Sequence, residues 1–305
     1  MIQAISRSTF MTETNKHLFC FGLGYSALVF ARRLLARGWK VSGTVRPGAD
    51  KDRGKIDSLQ AEGITVWPFD REAVISNVDK ALEGVTHILT SVPPDAEGDT
   101  VFDHHATDIL ACKSLSWFGY LSTTGVYGNR DGGLVHEEDS LHPSSTRSQR
   151  RAKAELQWQQ LFHDENLPLQ IFRLAGIYGP GRSPLEGLRS GRVKQRINKP
   201  GHIFSRIHVE DIANVLEASL EKPDPGRIYN VCDNVPEEPW RVTTRACELI
   251  GITPPPLVAF EEAEMTPMAR SFWLDNKRVD NSRILHELGV VLQYPDYETG
   301  LQSLL

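Results

Sequence analysis

No stretch of the 305 residues is apolar for long enough to cross a bilayer. Cysteine is scarce. Cys20, Cys112, Cys232 and Cys247 never fall at C-x-x-C spacing, which excludes a disulfide framework and a zinc ribbon and makes a reducing, cytoplasmic setting the expectation. An excess of basic residues is missing too: 34 Lys and Arg face 39 Asp and Glu, for a net charge of −5, so nothing calls for nucleic acid. There is no internal repeat and no low-complexity tract. Residues 1–16 lack the continuous apolar core of a secretory signal. They read as a disordered tail, with a transit segment or a true start at Met11 as the alternatives.

The most informative segment is His17 to Ala27, H-L-F-C-F-G-L-G-Y-S-A. An apolar run meets Gly22-x-Gly24-x-x-Ala27, and a helical pattern (Leu28, Ala31, Leu34, Leu35) begins at once. Strand, glycine turn and helix in this order form a dinucleotide-binding signature. Gly22 supplies the turn, Gly24 lets a pyrophosphate approach the main chain, and Ala27 lets helix pack on strand. Leu23, Tyr25 and Ser26 belong to the same phosphate-facing turn, whose free N–H groups and positive helix end suit an anion.

Strand-like and helix-like segments then alternate, which predicts an α/β, Rossmann-type doubly wound parallel sheet. Strands are read at about 17–22, 39–45, 64–68, 86–91, 117–121 and 169–174, with helices at 25–37, 54–61, 101–112 and 146–162. The dinucleotide-binding domain is placed at 17–175, and a helix (Val209 to Leu220) and strand (Arg227 to Val231) within 207–233 return to it. Residues 176–206 and 234–305 form a smaller substrate lobe; 235–305 read as loop-rich because of the prolines at 254–256.

Further motifs follow in order: S-T-T-G-V-Y-G at 122–128, F-R-L-A-G-I-Y-G-P-G-R at 172–182, R-I-H-V-E-D-I-A at 206–213, Y-N-V-C-D at 229–233 and N-K-R-V-D-N at 276–281. Together with the glycine signature they resemble the extended short-chain dehydrogenase/reductases, the NAD(P)-dependent epimerase/dehydratase group, in an atypical branch. The resemblance implies NAD(P) as cofactor, a small-molecule substrate, and often a homodimer built on the helices after strands four and five. It also implies contacts from Asp70 to adenine, from Ser91, Val92 and Pro93 to ribose, and from Leu174 near the cofactor.

In dinucleotide folds an acid at the end of strand two grips the ribose hydroxyls. Here that strand ends Gly43-Thr44-Val45-Arg46, with no acid before Asp50. Arg46 suits a 2′-phosphate, so NADP is expected over NAD; the alternative is a solvated loop charge.

Family members carry Tyr-x-x-x-Lys on the long helix after strand five, and a Ser or Thr four residues before the Tyr of V-Y-G. Thr123 fills the hydroxyl position before Tyr127. The family's helix glutamate fits Glu155, which sets Arg151 at the Lys position and Arg147 at the Tyr position; the shifted register pairs Lys153 with Gln149. Neither register has a phenol, and no Tyr lies between Tyr127 and Tyr178. Arginine stays protonated, so Arg151 can bind a ribose or phosphate but is a poor acid or base. Thr123, Tyr127 and Arg151 are the catalytic candidates, with Tyr178 and His208 as other sources of a proton; a core or capping role competes for His208 and a structural one for both tyrosines.

On the substrate side, Arg182 follows Gly179-Pro180-Gly181, and basic residues run from Arg189 to Arg206. Arg182, Arg206 and His208 are the substrate candidates, although a solvated surface explains most of the basic run. The family's diphosphate-binding Arg, four residues before the His of I-H-V, is Phe204 here, which counts against a nucleotide sugar. The leading expectation is an NADP-dependent oxidoreductase or epimerase-type enzyme for a small, anionic carbonyl or hydroxyl substrate, in which nicotinamide exchanges hydride while Thr123 orients the reacting oxygen. A redox-silent NADP(H) sensor or interaction protein is the alternative, and a nucleotide-sugar epimerase the third reading. No metal site is expected.

Overall fold

The computed structural model describes residues 16–48 and 50–305, with side chains at 50–53 left out. Residues 1–15, nearly all of the expected tail, lie outside the described residues. In chain order, the first half holds β1 (His17–Phe21), α1 (Tyr25–Ala36), β2 (Lys40–Val45), α2 (Asp50–Ala61), β3 (Thr65–Pro68), α3 (Val78–Ala81), β4 (His87–Thr90), α4 (Thr100–Leu110), β5 (Trp117–Thr123) and β6 (Leu134–Val135). The long α5 (Thr146–Glu165) leads to β7 (Leu169–Leu174). Then come β8 (Gly176–Tyr178), α6 (Pro184–Arg189), β9 (Arg196–Asn198), β10 (Arg206–His208), α7 (Val209–Glu221) and β11 (Ile228–Val231). The chain closes with α8 (Pro239–Leu249), β12 (Leu257–Ala259), α9 (Pro267–Ser271), β13 (Arg278–Val279), α10 (Ser282–His286) and α11 (Tyr297–Gln302).

Seven strands form one parallel sheet in the order β11-β7-β5-β4-β1-β2-β3. Strand burial explains why β1 reads as an unbroken apolar run: Leu18 and Cys20 belong to the core on one face, Phe19 and Phe21 to the core on the other, and all four are fully buried. One face is covered by α1 and α7, tied together where Arg33 donates to Asn214 (2.6 Å) and Glu217 (3.1 Å). On the other face Trp158 of α5 packs against Phe118 of β5 and Phe102 of α4. The chain leaves β1 in one direction and returns at β4 in the other, so a crevice opens at the carboxyl ends of β1 and β4, where ligands bind in open α/β sheets.

Two parts of the lobe differ from the loop-rich expectation. The segment after 235 contains α8, whose Val242, Ala246 and Cys247 pack on Leu185, Leu188 and Leu301 in a third, separate core. Pro239 concealed it in the sequence, yet Pro is tolerated in the first helical turn because its missing N–H has no partner there. Helix α2 begins at Asp50, earlier than residue 54, and carries Gly54 in its interior. Among the described residues no helix is long and apolar enough to cross a membrane.

Candidate active site

The glycine turn is held open from below. Gly22 N–H donates to Thr44 Oγ1 (2.8 Å) and Leu23 N–H to the Thr44 carbonyl (2.7 Å), which fixes the turn to the end of β2. Ser91 Oγ donates to the Gly22 carbonyl (2.6 Å) from the end of β4. Gly22 has φ +88°, and a Cβ there would lie 2.9 Å from Ser91 Oγ, so only glycine fits on both grounds. Helix α1 starts at Gly24 without any side-chain cap, unlike α4, α5 and α7, whose first N–H groups are met by Asp99, Ser145 and His208. The opening amides of α1 are therefore free of side-chain competition, and the exposed Gly24 leaves room above them. This cradle fits a pyrophosphate.

Three neighbours complete it. Tyr25 donates its phenol proton to the Pro180 carbonyl (2.9 Å), bridging α1 to the substrate lobe. The Arg182 guanidinium lies over the Tyr25 ring, 5.7 Å from its centre. Lys55 Nζ reaches from α2 to the Leu23 carbonyl (2.9 Å). Ser26, Leu23 and Ala27 are buried. Arg46 stands exposed just past β2. Asp70 uses Oδ1 to accept from the N–H groups of Glu72 (3.0 Å) and Ala73 (2.8 Å), which makes it the closure of a turn after β3.

Beyond the cradle a cleft of about 780 Å³ lies between the sheet and the lobe. Pro93, Thr123 and Leu174 line it at the ends of β4, β5 and β7, next to Arg151. Thr123 Oγ1 accepts from Gly125 N–H (3.1 Å), which leaves the hydroxyl proton for a ligand. On α5, Arg147 and Arg151 face the cleft, whereas Gln149 and Lys153 are exposed and lie off it. The register set by Glu155 is therefore the one that faces the cleft. Arg151 is drawn inward: it donates to Tyr120 Oη (2.8 Å) and the Val92 carbonyl (3.4 Å), and burial holds the Tyr120 phenol well above its ordinary pKa.

Tyr127 and His208 stand elsewhere. Tyr127 is fully buried, donates to Asn230 Oδ1 (2.7 Å) and accepts from Arg173 Nη1 (2.9 Å); burial pushes its pKa to about 12. It does not line the cleft, and its hydroxyl is committed to these two partners. His208 caps α7, with Nδ1 accepting from Glu210 N–H (3.3 Å), and is buried beneath Tyr178 and Tyr294. It serves as a helix cap, does not line the cleft, and burial lowers its pKa. Tyr178 lines the cleft but is itself almost buried and donates to the Asp296 carbonyl (3.3 Å).

Arg182 and Arg206 both reach the cleft. Arg206 Nη1 donates to the carbonyls of Phe204 (2.8 Å) and Glu237 (3.1 Å), so its guanidinium is held in place. Nearby Asp233 is buried with Oδ2 unpartnered, and burial raises its pKa to about 8 in spite of Arg206.

The sequence reading missed Lys55 and Lys277. Lys277 lies in N-K-R-V-D-N, lines the cleft and is 8 % exposed. Its Nζ is 3.8 Å from Asp275 Oδ2. Burial lowers its pKa, with Arg130 adding in the same direction and Asp275 opposing. No spacing could reveal this, because the strap that carries it is positioned by Asn276, whose backbone and side chain bond the 129–133 and 201–203 loops. Among the described residues no cluster of His, Cys, Asp or Glu has the arrangement of a metal site.

A family model described as the NAD dependent epimerase/dehydratase family matches residues 22–232. A solved structure of a functionally unknown conserved protein from Silicibacter pomeroyi DSS is 47 % identical and superposes with a TM-score of 0.86, over 95 % of this chain and 98 % of that one. Protein YeeZ of Escherichia coli (strain K12) is 28 % identical over 298 residues, 92 % of this chain and 97 % of its own. The dTDP-glucose 4,6-dehydratase of Bacillus anthracis, solved with NAD, is similar in fold: its TM-score is 0.76 at 18 % identity, over 95 % of each chain.

Proposed function

Because the chain belongs to the NAD-dependent epimerase/dehydratase family, we propose that it is an NAD(P)-dependent oxidoreductase or epimerase-type enzyme acting on a small anionic carbonyl or hydroxyl compound. The observation that carries this reading is the charge of the cleft. Arg147, Arg151, Arg182, Arg192, Arg206 and Lys277 line it, against one acid, Asp275. A concave wall of one sign concentrates ligands of the other.

The uncapped start of α1 and the Gly22 turn hold the pyrophosphate, and Arg46 favours the 2′-phosphate of NADP. A bound nicotinamide supplies two-electron oxidation and reduction. The chain's own part is to bind and orient. Arg206, fixed by two carbonyls, anchors an anionic group of the substrate, and Thr123 offers its hydroxyl proton to the reacting oxygen. Phe204, where the family's diphosphate-binding Arg would stand, speaks against a nucleotide-sugar substrate.

The test is a spectrophotometric screen of the purified full chain with NADPH and NADH against matched carbonyl compounds that carry, or lack, a carboxylate or phosphate. The expected result is coenzyme oxidation with anionic members and little with their neutral counterparts. Tight coenzyme binding with no turnover of any member overturns it and favours the redox-silent sensor.

A further inference from the structure

The cleft has Thr123 to orient an oxygen, but the helix that faces it carries arginines where a proton donor is required. Arg147 and Arg151 stay charged and exchange protons poorly. Arg182, Arg192 and Arg206 share that limit, and the remaining ionisable side chains on the wall are the acid Asp275, the phenols Tyr178 and Tyr297, and Lys277. Tyr178 already donates to a carbonyl, and burial raises the pKa of both phenols.

Lys277 is placed differently. Its strap lies against the start of α5, where the Arg147 guanidinium stacks 4.4 Å from the centre of the Phe272 ring and Ser144 Oγ donates to Asp275 Oδ1 (2.5 Å). The same helix start reaches the oxygen-orienting turn. Ser145 Oγ donates to Ser148 Oγ (2.9 Å), and Ser148 Oγ would lie 2.7 Å from a Cβ on Gly125, the residue whose N–H holds Thr123. Lys277 thus lines the cleft on the wall joined to the α5 start and the Thr123 turn, with its Nζ 3.8 Å from Asp275 Oδ2.

We propose that Lys277 is the catalytic acid/base of this cleft, exchanging a proton with the substrate oxygen in place of the missing phenol; this rests on the oxidoreductase reading above. In the reductive direction Lys277 gives one N–H proton to the carbonyl oxygen as the C=O π bond becomes a C–O–H group. The carbon receives its hydrogen and two electrons from the reduced pyridine dinucleotide. Lys277 is left as the neutral amine, and solvent returns its proton. The reverse direction uses the neutral amine as the base. Burial lowers the pKa of Lys277, with Arg130 adding and Asp275 opposing, so its two forms lie closer in energy than at an exposed lysine, the direction that favours proton exchange.

Two measurements test this. The first uses pyridoxal 5′-phosphate, an anionic aldehyde, with borohydride trapping and peptide mapping of the full chain at neutral pH. A cleft-facing amine of lowered pKa in a cationic pocket reacts ahead of exposed lysines such as Lys153. Labelling of Lys277 first, slowed by NADP, is expected. Labelling of Lys153 and other exposed lysines with Lys277 unmodified overturns the proposal, whether or not any turnover has been found. The second uses a substrate from the screen. Lys277→Met and Lys277→Arg are each expected to lower kcat about 10²-fold or more. Lys277→Arg retains KM for the anion, and Lys153→Met changes neither constant. Wild-type kcat and an unaltered pH profile in Lys277→Arg overturn the role of Lys277 while leaving the proposed function standing. An inactive wild-type protein counts against the function, and the labelling result then decides the fate of Lys277.

Discussion

An arginine and a carboxylate at the end of the second strand make opposite demands on a ribose: one needs a phosphate there, the other a pair of hydroxyls. Arg46 is exposed, and the strand before it ends Gly43-Thr44-Val45 without an acid. Arg46→Ala is expected to weaken NADPH by about tenfold or more, since a hydrogen bond to a charged group contributes about 1.5–3 kcal/mol. NADH should change by less than about twofold at the same site. Fluorescence titration of both coenzymes checks this; equal losses would place Arg46 outside the ribose pocket. At this scale the legible residues were those whose role is backbone geometry or local order. Gly22 and Gly24 announced themselves because few other residues could serve there. For Tyr127 and His208 the motifs left a structural or capping role open beside the chemical one, and only the fold shows the first locked to Asn230 and Arg173 and the second to the start of α7. Lys277 was invisible because its neighbours come from loops more than 70 residues away.

Elements are joined by one buried polar network. Glu155 of α5 accepts from Arg173 of β7 at 2.8 Å and from Ser122 of β5. Arg173 continues to the Glu137 carbonyl (3.1 Å) and to Tyr127, while Glu137 accepts from Asn230 N–H of β11 (2.8 Å). Glu155 and Arg173 are at most 2 % exposed. Removing one partner strands the other charge in the core, so Glu155→Gln is expected to cost about 3–5 kcal/mol. Urea unfolding checks it, and a loss below about 1 kcal/mol would show that water reaches the pair. The sequence supplied Glu155 as a landmark on a helix. Its partner was out of reach because β5 and β7 become neighbours only through the sheet order, and helical spacing says nothing about an adjoining strand. The sheet itself was legible for the opposite reason: parallel strands in its interior are buried on both faces, so β1, β4, β5 and β7 announce themselves by apolar runs. The lobe lacks that signal, and α8 with it, since its short elements bury one side only.

The whole molecule carries an acid sensitivity. His17, His87 and His202 are buried, and burial lowers each pKa from 6.5 to about 4, with Lys40, Lys16 and Lys199 adding to the three effects in turn. Above pH 6.5 these rings are neutral in both states. Between 6.5 and about 4 the unfolded chain takes up protons that the folded chain refuses, so stability present above 6.5 is lost as pH falls. Each ring contributes a slope of up to about 1.4 kcal/mol per pH unit. Tm followed by circular dichroism is expected to hold near pH 7–8 and to drop steeply below 6.5; a flat profile down to 4.5 would contradict it.

One hydroxyl joins both halves of the crevice. Tyr25 opens the first helix and at the same time donates to the Pro180 carbonyl, so a single side chain ties the turn bearing Arg182 to the start of that helix.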